Sequence, residues 1–129
     1  MLSTDAFNYV NVLDKAADAS WTRESILANN IANIDTPGYK RQDIEFADIL
    51  KKKLWGTNVR GLDKAVDSLD FKSLKGKEYI DYKGFSYRLD GNNVDVDTEN
   101  VELASEQLRY QGLTTAMSQE FKRFGAVIK

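Results

Sequence analysis

The sequence predicts a mainly α fold in which long N- and C-terminal helices pair as a coiled coil around a small irregular middle region carrying a β-hairpin. Three observations lead there. Neither Pro nor Gly interrupts Ser3 to Ile34, and apolar residues recur along that stretch at spacings of three and four. A second stretch with helical spacing runs from about Thr98 to Lys129. Between the two lie short aromatic runs punctuated by Gly. The expected division is therefore an N-terminal helix over 1–36, a middle region over 37–97 and a C-terminal helix over 98–129.

Ser3, Thr4 and Asp5 offer side-chain oxygens that could cap the first helix. Its apolar stripe is Val10, Leu13, Ala17, Leu27, Ile31 and Ile34, with Ser20 and Glu24 occupying the same stripe in the middle. Thr36-Pro37-Gly38 ends it, because Pro37 pushes Thr36 out of the helical region and Gly38 suits the positive φ of a type II turn. Phe46, Ile49, Leu50 and Leu54 predict a short amphipathic helix between Asp43 and Trp55. From Gly56 to Gly76 the periodicity is weak and no element is assigned. Tyr79, Ile80 and Tyr82, then Phe85, Tyr87 and Leu89, flank Lys83-Gly84 as the arms of a hairpin would. After the turn Asp90-Gly91-Asn92-Asn93, the residues Asp95, Asp97 and Thr98 are cap candidates for the last helix. Its stripe is Leu103, Tyr110, Leu113, Met117, Phe124 and Val127, and Gly112 within it costs about 1 kcal/mol against Ala, which implies a packing or flexibility reason.

A helix of about 32 residues spans roughly 48 Å, whereas a compact domain of this length has a diameter of roughly 36 Å. Such helices overshoot a globule, so partners are the economical cover for their stripes. Composition narrows what those partners can be. With 18 basic and 20 acidic residues and a net charge of −2, no field points to nucleic acid or an anionic membrane. There is no Cys and no His, which removes disulfides, thiolate zinc sites, Cys nucleophiles and the commonest general base. Ser, Lys and carboxylates stand in no nucleophile-elbow, S-x-x-K or phosphate-loop context. No catalytic, cofactor or metal residue is assigned, and no small-molecule substrate is expected. The front of the chain lacks the basic start and apolar run of a secretory signal, and no stretch approaches the roughly 20 apolar residues of a membrane span.

Some motifs invite sharper readings. Asp95, Asp97, Glu99 and Glu106 fall at the first, third, fifth and twelfth positions of a calcium loop. Asn100 sits where Gly is needed, however, and a helix starting near Thr98 would disperse the ligands, so capping and dipole compensation account for them better. Lys51 to Lys53 beside Asp43, Glu45 and Asp48 read as a solvated helix face, and Tyr79, Tyr82, Phe85 and Tyr87 as the packed face of a hairpin.

One segment carries more than its physics requires. Leu27-Ala28-Asn29-Asn30-Ile31-Ala32-Asn33-Ile34-Asp35-Thr36-Pro37-Gly38-Tyr39-Lys40 resembles the N-terminal signature of the bacterial flagellar rod and hook axial proteins. A helix ended by a Pro-Gly turn does not by itself call for three Asn residues before the turn or Tyr-Lys after it. Arg41-Gln42-Asp43-Ile44-Glu45-Phe46 is similar to the proximal-rod version. Gly91 to Asp97, Leu103-Ala104 and Gln107 to Gln111 resemble that group's C-terminal signature. The resemblance implies a structural subunit of the proximal rod of the flagellar basal body, built helically through its terminal helices into a hollow drive shaft. It implies as partners other copies of the chain, the rod protein FlgC, the FliE ring and the flagellar type III export apparatus. It also implies a periplasmic destination reached without a cleavable signal. On this reading Asn29, Asn30, Asn33, Thr36, Pro37, Gly38 and Tyr39 form a junction where the inner helix meets the outer part of the subunit, the Asn side chains bonding neighbouring subunits or backbone near the turn. The alternative is a cytoplasmic helical adaptor or chaperone that binds partner helices.

Overall fold

The computed structural model describes residues 7–56, 60–82 and 88–128. Its elements are α1 (Asn8–Ala32), β1 (Gln42–Glu45), α2 (Ala47–Trp55), α3 (Leu62–Asp67), β2 (Lys77–Ile80) and α4 (Val96–Ile128). The proposed caps Ser3, Thr4 and Asp5 lie outside the described residues. At its other end α1 stops at Ala32, with Asn33 as its C-cap, short of the Thr36 at which the sequence places its end. The Tyr39 N–H bonds the Thr36 carbonyl at 3.2 Å and Gly38 has φ +74°, the type II turn that Pro37-Gly38 predicts.

α4 begins at Val96 because the Asp95 carboxylate accepts the backbone N–H groups of Asp97 at 3.0 Å and Thr98 at 3.3 Å. It then runs 33 residues, roughly 50 Å. α1 and α4 lie antiparallel: Asn30 bonds Glu99, Ser20 bonds Glu106, and the rings of Phe7 and Phe124 sit 4.7 Å apart at the far end.

The middle region packs beside this pair. β1 and β2 form a two-stranded antiparallel sheet with Gln42 opposite Ile80 and Glu45 opposite Lys77. The helix expected between Asp43 and Trp55 starts only at Ala47, since Asp43 to Glu45 are drawn into β1 by a partner more than thirty residues away. Of the aromatic runs, Tyr79 and Ile80 belong to β2, whereas Lys83 to Tyr87, the turn and most of the second hairpin arm, lie outside the described residues. The unassigned stretch contains α3, whose Ala65 and Val66 are buried together with Leu69 and Leu74. Asn8 donates to Asp67 at 2.9 Å and Tyr9 bonds Asp63, which tie α3 to the start of α1. Gly76 lies against the Ile44 side chain, whose Cδ1 is 2.5 Å from where a Cβ would lie, so a larger residue there requires Ile44 to shift.

Candidate functional site

The two signatures that stand out in the sequence meet in space. The last carbonyls of α1 are met by the Asn33 and Ile34 backbone N–H groups, and the wholly buried Asn92 side chain holds the turn that follows, its amide lying 2.9 Å from the Asn33 and Ile34 carbonyls and 3.0 Å from that of Thr36. Its own oxygen accepts the Val94 N–H at 2.8 Å. Two turns with positive-φ glycines abut here: the Gly38 N–H bonds the Asp90 carbonyl at 2.6 Å, and Lys40 Nζ bonds the Gly91 carbonyl. The neighbouring Asn93 accepts the Arg41 N–H and donates to the Asp81 carbonyl, each at 2.7 Å.

Asn30, also wholly buried, grips the first residue of β1 as another strand would. Its amide donates to the Gln42 carbonyl at 2.8 Å and its oxygen accepts the Gln42 N–H at 2.9 Å. The second proton goes to Glu99 at 3.1 Å and the second lone pair to the Tyr39 hydroxyl at 2.9 Å, which completes the amide's capacity. Asn29 donates to the same Tyr39 hydroxyl at 3.1 Å, and Asn33 turns back onto the Asn29 carbonyl at 2.8 Å and accepts from Thr36 at 3.1 Å. The three Asn residues therefore bond within the chain, Asn33 to a carbonyl at the helix end, while Asn92 holds the carbonyls of the turn beyond it.

Next to this junction lies a network of charges. Arg23 pairs with Asp43 at 2.9 Å, Glu102 at 2.9 Å and Glu106 at 2.8 Å. Arg41 pairs with Glu99 at 2.6 Å, Asp81 at 2.5 Å and Asp43 at 3.1 Å. Ser20 adds a 2.6 Å hydrogen bond to Glu106. Glu99 and Glu106 are almost completely buried, Glu99 paired with Arg41 and Glu106 with both Arg23 and Arg109, so α1, β1 and α4, with Asp81 just after β2, are fastened through one set of salt bridges. Burial works to raise the Asp43 carboxyl, but hydrogen bonds from Arg23, the Ile44 N–H and Arg41, together with the charge of Arg23, hold it below its ordinary value. Arg23 is held above its ordinary value chiefly by its hydrogen bond to Asp43. Among the described residues every buried side-chain nitrogen and oxygen has a partner, and no cluster of acidic residues is arranged to hold a metal ion.

The predicted seam divides. Val10, Ala17 and Leu27 are buried, and Leu13, Ile31 and Ile34 are half-buried on α1. On α4, Leu103, Tyr110, Leu113, Met117 and Phe124 are half-buried, with Tyr110 against Trp21 at 5.7 Å. Val127 is 83% exposed, beyond the Phe7–Phe124 contact. Of the signature turn, Thr36, Pro37 and Gly38 are exposed and Tyr39 is half-buried. Sequence reasoning missed Arg23, Arg41, Asp43, Glu99 and Glu106 as the fastening. The available signal was spacing, for Glu99, Leu103, Glu106, Tyr110, Leu113 and Met117 fall alternately four and three residues apart on one stripe.

The comparisons with known proteins converge. A family model described as "Flagella basal body rod protein" matches residues 15–40, the stretch from mid-α1 through the turn. The chain is 33% identical to "Flagellar basal body rod protein FlgB" of Bacillus subtilis, over 90% of this chain and 89% of that protein. The proteins of the same name are 36% identical in Escherichia coli, over 78% of each chain, and 40% identical in Salmonella typhimurium, over 75% of this chain and 76% of that one.

Proposed function

Because the chain belongs to the FlgB family of flagellar basal body rod proteins, we propose that it builds the proximal rod by heterologous, non-closing contacts between copies made through α1 and α4. It is a structural component of the rod and not an enzyme. The observation that carries the assembly reading is the surface the subunit leaves uncovered. Its accessible area is 8772 Å², against about 6,900 Å² for a compact monomer of this mass. Large apolar side chains stand exposed on the terminal helices: Trp21 is 60% exposed, Val101 68%, and Leu108 70%. Val101 and Leu108 lie on the side of α4 that faces away from α1. Buried polar bonds already fix the α1–α4 pair from within, so this outer face is free to seat a neighbour.

On this reading the adjoining rod subunits include FlgC, with the FliE ring at the base and the flagellar type III export apparatus delivering the chain to the periplasm. No described helix is long and apolar enough to cross a membrane, in keeping with a subunit held by protein contacts. The test is Leu108→Asp in cells whose native copy is replaced. The variant keeps its helical circular dichroism and its melting temperature within a few degrees, since Leu108 is 70% exposed, yet it is missing from purified basal bodies and the cells do not swim. Wild-type swimming with normal amounts in basal bodies would remove the terminal helices from the assembly interface.

A further inference from the structure

A groove of about 560 Å³ opens between α1, α4 and the β1–α2 corner. Its floor is apolar, formed by Ala19, Ile44, Phe46, Leu50 and Leu113. Its charged lining comprises five carboxylates and only two guanidinium groups. Arg23 is committed to Asp43, Glu102 and Glu106, and Arg109 to Glu106, so the acidic excess falls at the edge, at Asp48 and at Glu45, whose one cation, the exposed Lys52, stands 4.0 Å away. The chain itself contains a segment of opposite character. Residues 121–129, FKRFGAVIK, hold three cations and no carboxylate. Within it Phe121 is 49% exposed, and Val127 and Ile128 are each 83% exposed.

We propose that this groove receives the C-terminal end of α4 from a second copy, with Val127 and Ile128 on the apolar floor and Lys122 and Arg123 towards Glu45 and Asp48. The proposal rests on the rod-assembly reading and gives it a specific contact. The segment cannot reach the groove of its own chain, because Leu113 in the groove and Val127 at the tip are fourteen residues apart on one helix, roughly 21 Å along its axis. Groove and tip are different surfaces, so the contact is heterologous and passes from copy to copy in one direction. Opposite charges at the rim set its orientation and make it weaken as salt rises. The other basic, apolar segment, Lys51 to Trp55, belongs to α2, which itself forms one wall through Asp48 and Leu50. Lys51 there already lies over the Trp55 ring at 4.4 Å.

The absence of Cys allows a direct test on the purified full-length chain. Asp48→Cys combined with Val127→Cys should give a ladder of disulfide-linked copies under mild oxidation, since the two Cα atoms must come within about 7 Å to bridge, and the ladder should grow with protein concentration. Asp48→Cys combined with Trp55→Cys should not. The reverse pattern would assign the groove to α2 of the neighbour and overturn the proposal, as would the absence of a ladder from either pair. Sedimentation gives a second readout: Lys122→Glu with Arg123→Glu should weaken self-association at least tenfold, and adding Glu45→Lys with Asp48→Lys should restore it, which misfolding could not do. Failure of that rescue also overturns the contact. Normal recovery of the chain in basal bodies alongside either failure would leave the rod assignment standing and remove only this contact.

Discussion

The two halves of the α1–α4 pair are held by different chemistry. From Ser20 and Glu106 to Asn30 and Glu99, the interface is a buried lattice of salt bridges and amide hydrogen bonds. From Leu13 to Phe7, and from Met117 to Phe124, it is mainly apolar: Val10 is buried, while Phe7, Leu13, Met117 and Phe124 are half-buried. The first half has used up its polar valences within the subunit. The second has apolar surface still to cover. A buried ion pair adds little net stability over an apolar contact, yet it punishes misplacement heavily, because a slipped register strands a charge. The polar half therefore sets the alignment of the helices and locks the turn to α4, and the apolar half is left adaptable for neighbours.

The largest expected effect breaks the polar half. Arg41→Met removes the guanidinium that serves Glu99, Asp81 and Asp43 and leaves the Glu99 carboxylate buried without its cation. Loss of one partner of a buried pair costs about 3–5 kcal/mol, which should appear as a large drop in the urea midpoint. A change below about 1 kcal/mol would mean that the network does not set the register. Asn92→Ala comes next. It removes the amide that bonds the Asn33, Ile34 and Thr36 carbonyls in the turn after α1, of which Asn33 and Thr36 keep backbone donors, a loss of about 1–3 kcal/mol. Faster amide exchange should then be confined to the last turn of α1 and residues 90–94, while the Phe7–Phe124 end keeps wild-type protection.

The same contrast explains what could be read from the sequence. The helices were legible because Val10, Leu13, Ala17, Leu27 and Ile31 keep three-four spacing and Pro37-Gly38 stops the first of them. The junction was legible as a place, from the Asn residues and the Pro-Gly turn, but its partner was not. Asn30 bonds Gln42 and Glu99, and Asn92 reaches back nearly sixty residues, contacts that no local spacing records. Glu99 and Glu106 read as capping charges because Glu is almost never fully buried unless paired, and their cations lie on other elements. β1 escaped notice for a related reason. Four residues with one buried side chain carry too short an alternation to outvote the apolar residues that follow.

The smallest expected effect on the isolated chain separates the two faces of α4. Gly112 lies in the interior of the helix, and a Cβ built there meets nothing within 4 Å, so no contact inside the subunit accounts for it. Gly112→Ala should therefore stabilise the free chain by about 1 kcal/mol, the ordinary gain of Ala over Gly in a helix interior. Gly112 shares the outward face of α4 with Leu108. If a neighbour's backbone approaches there in the rod, the same methyl group that stabilises the subunit should lower its recovery in basal bodies. Opposite signs in the urea midpoint and in basal-body recovery would place the reason for this glycine between subunits. A gain in stability with unchanged recovery would show that no close approach occurs at that face.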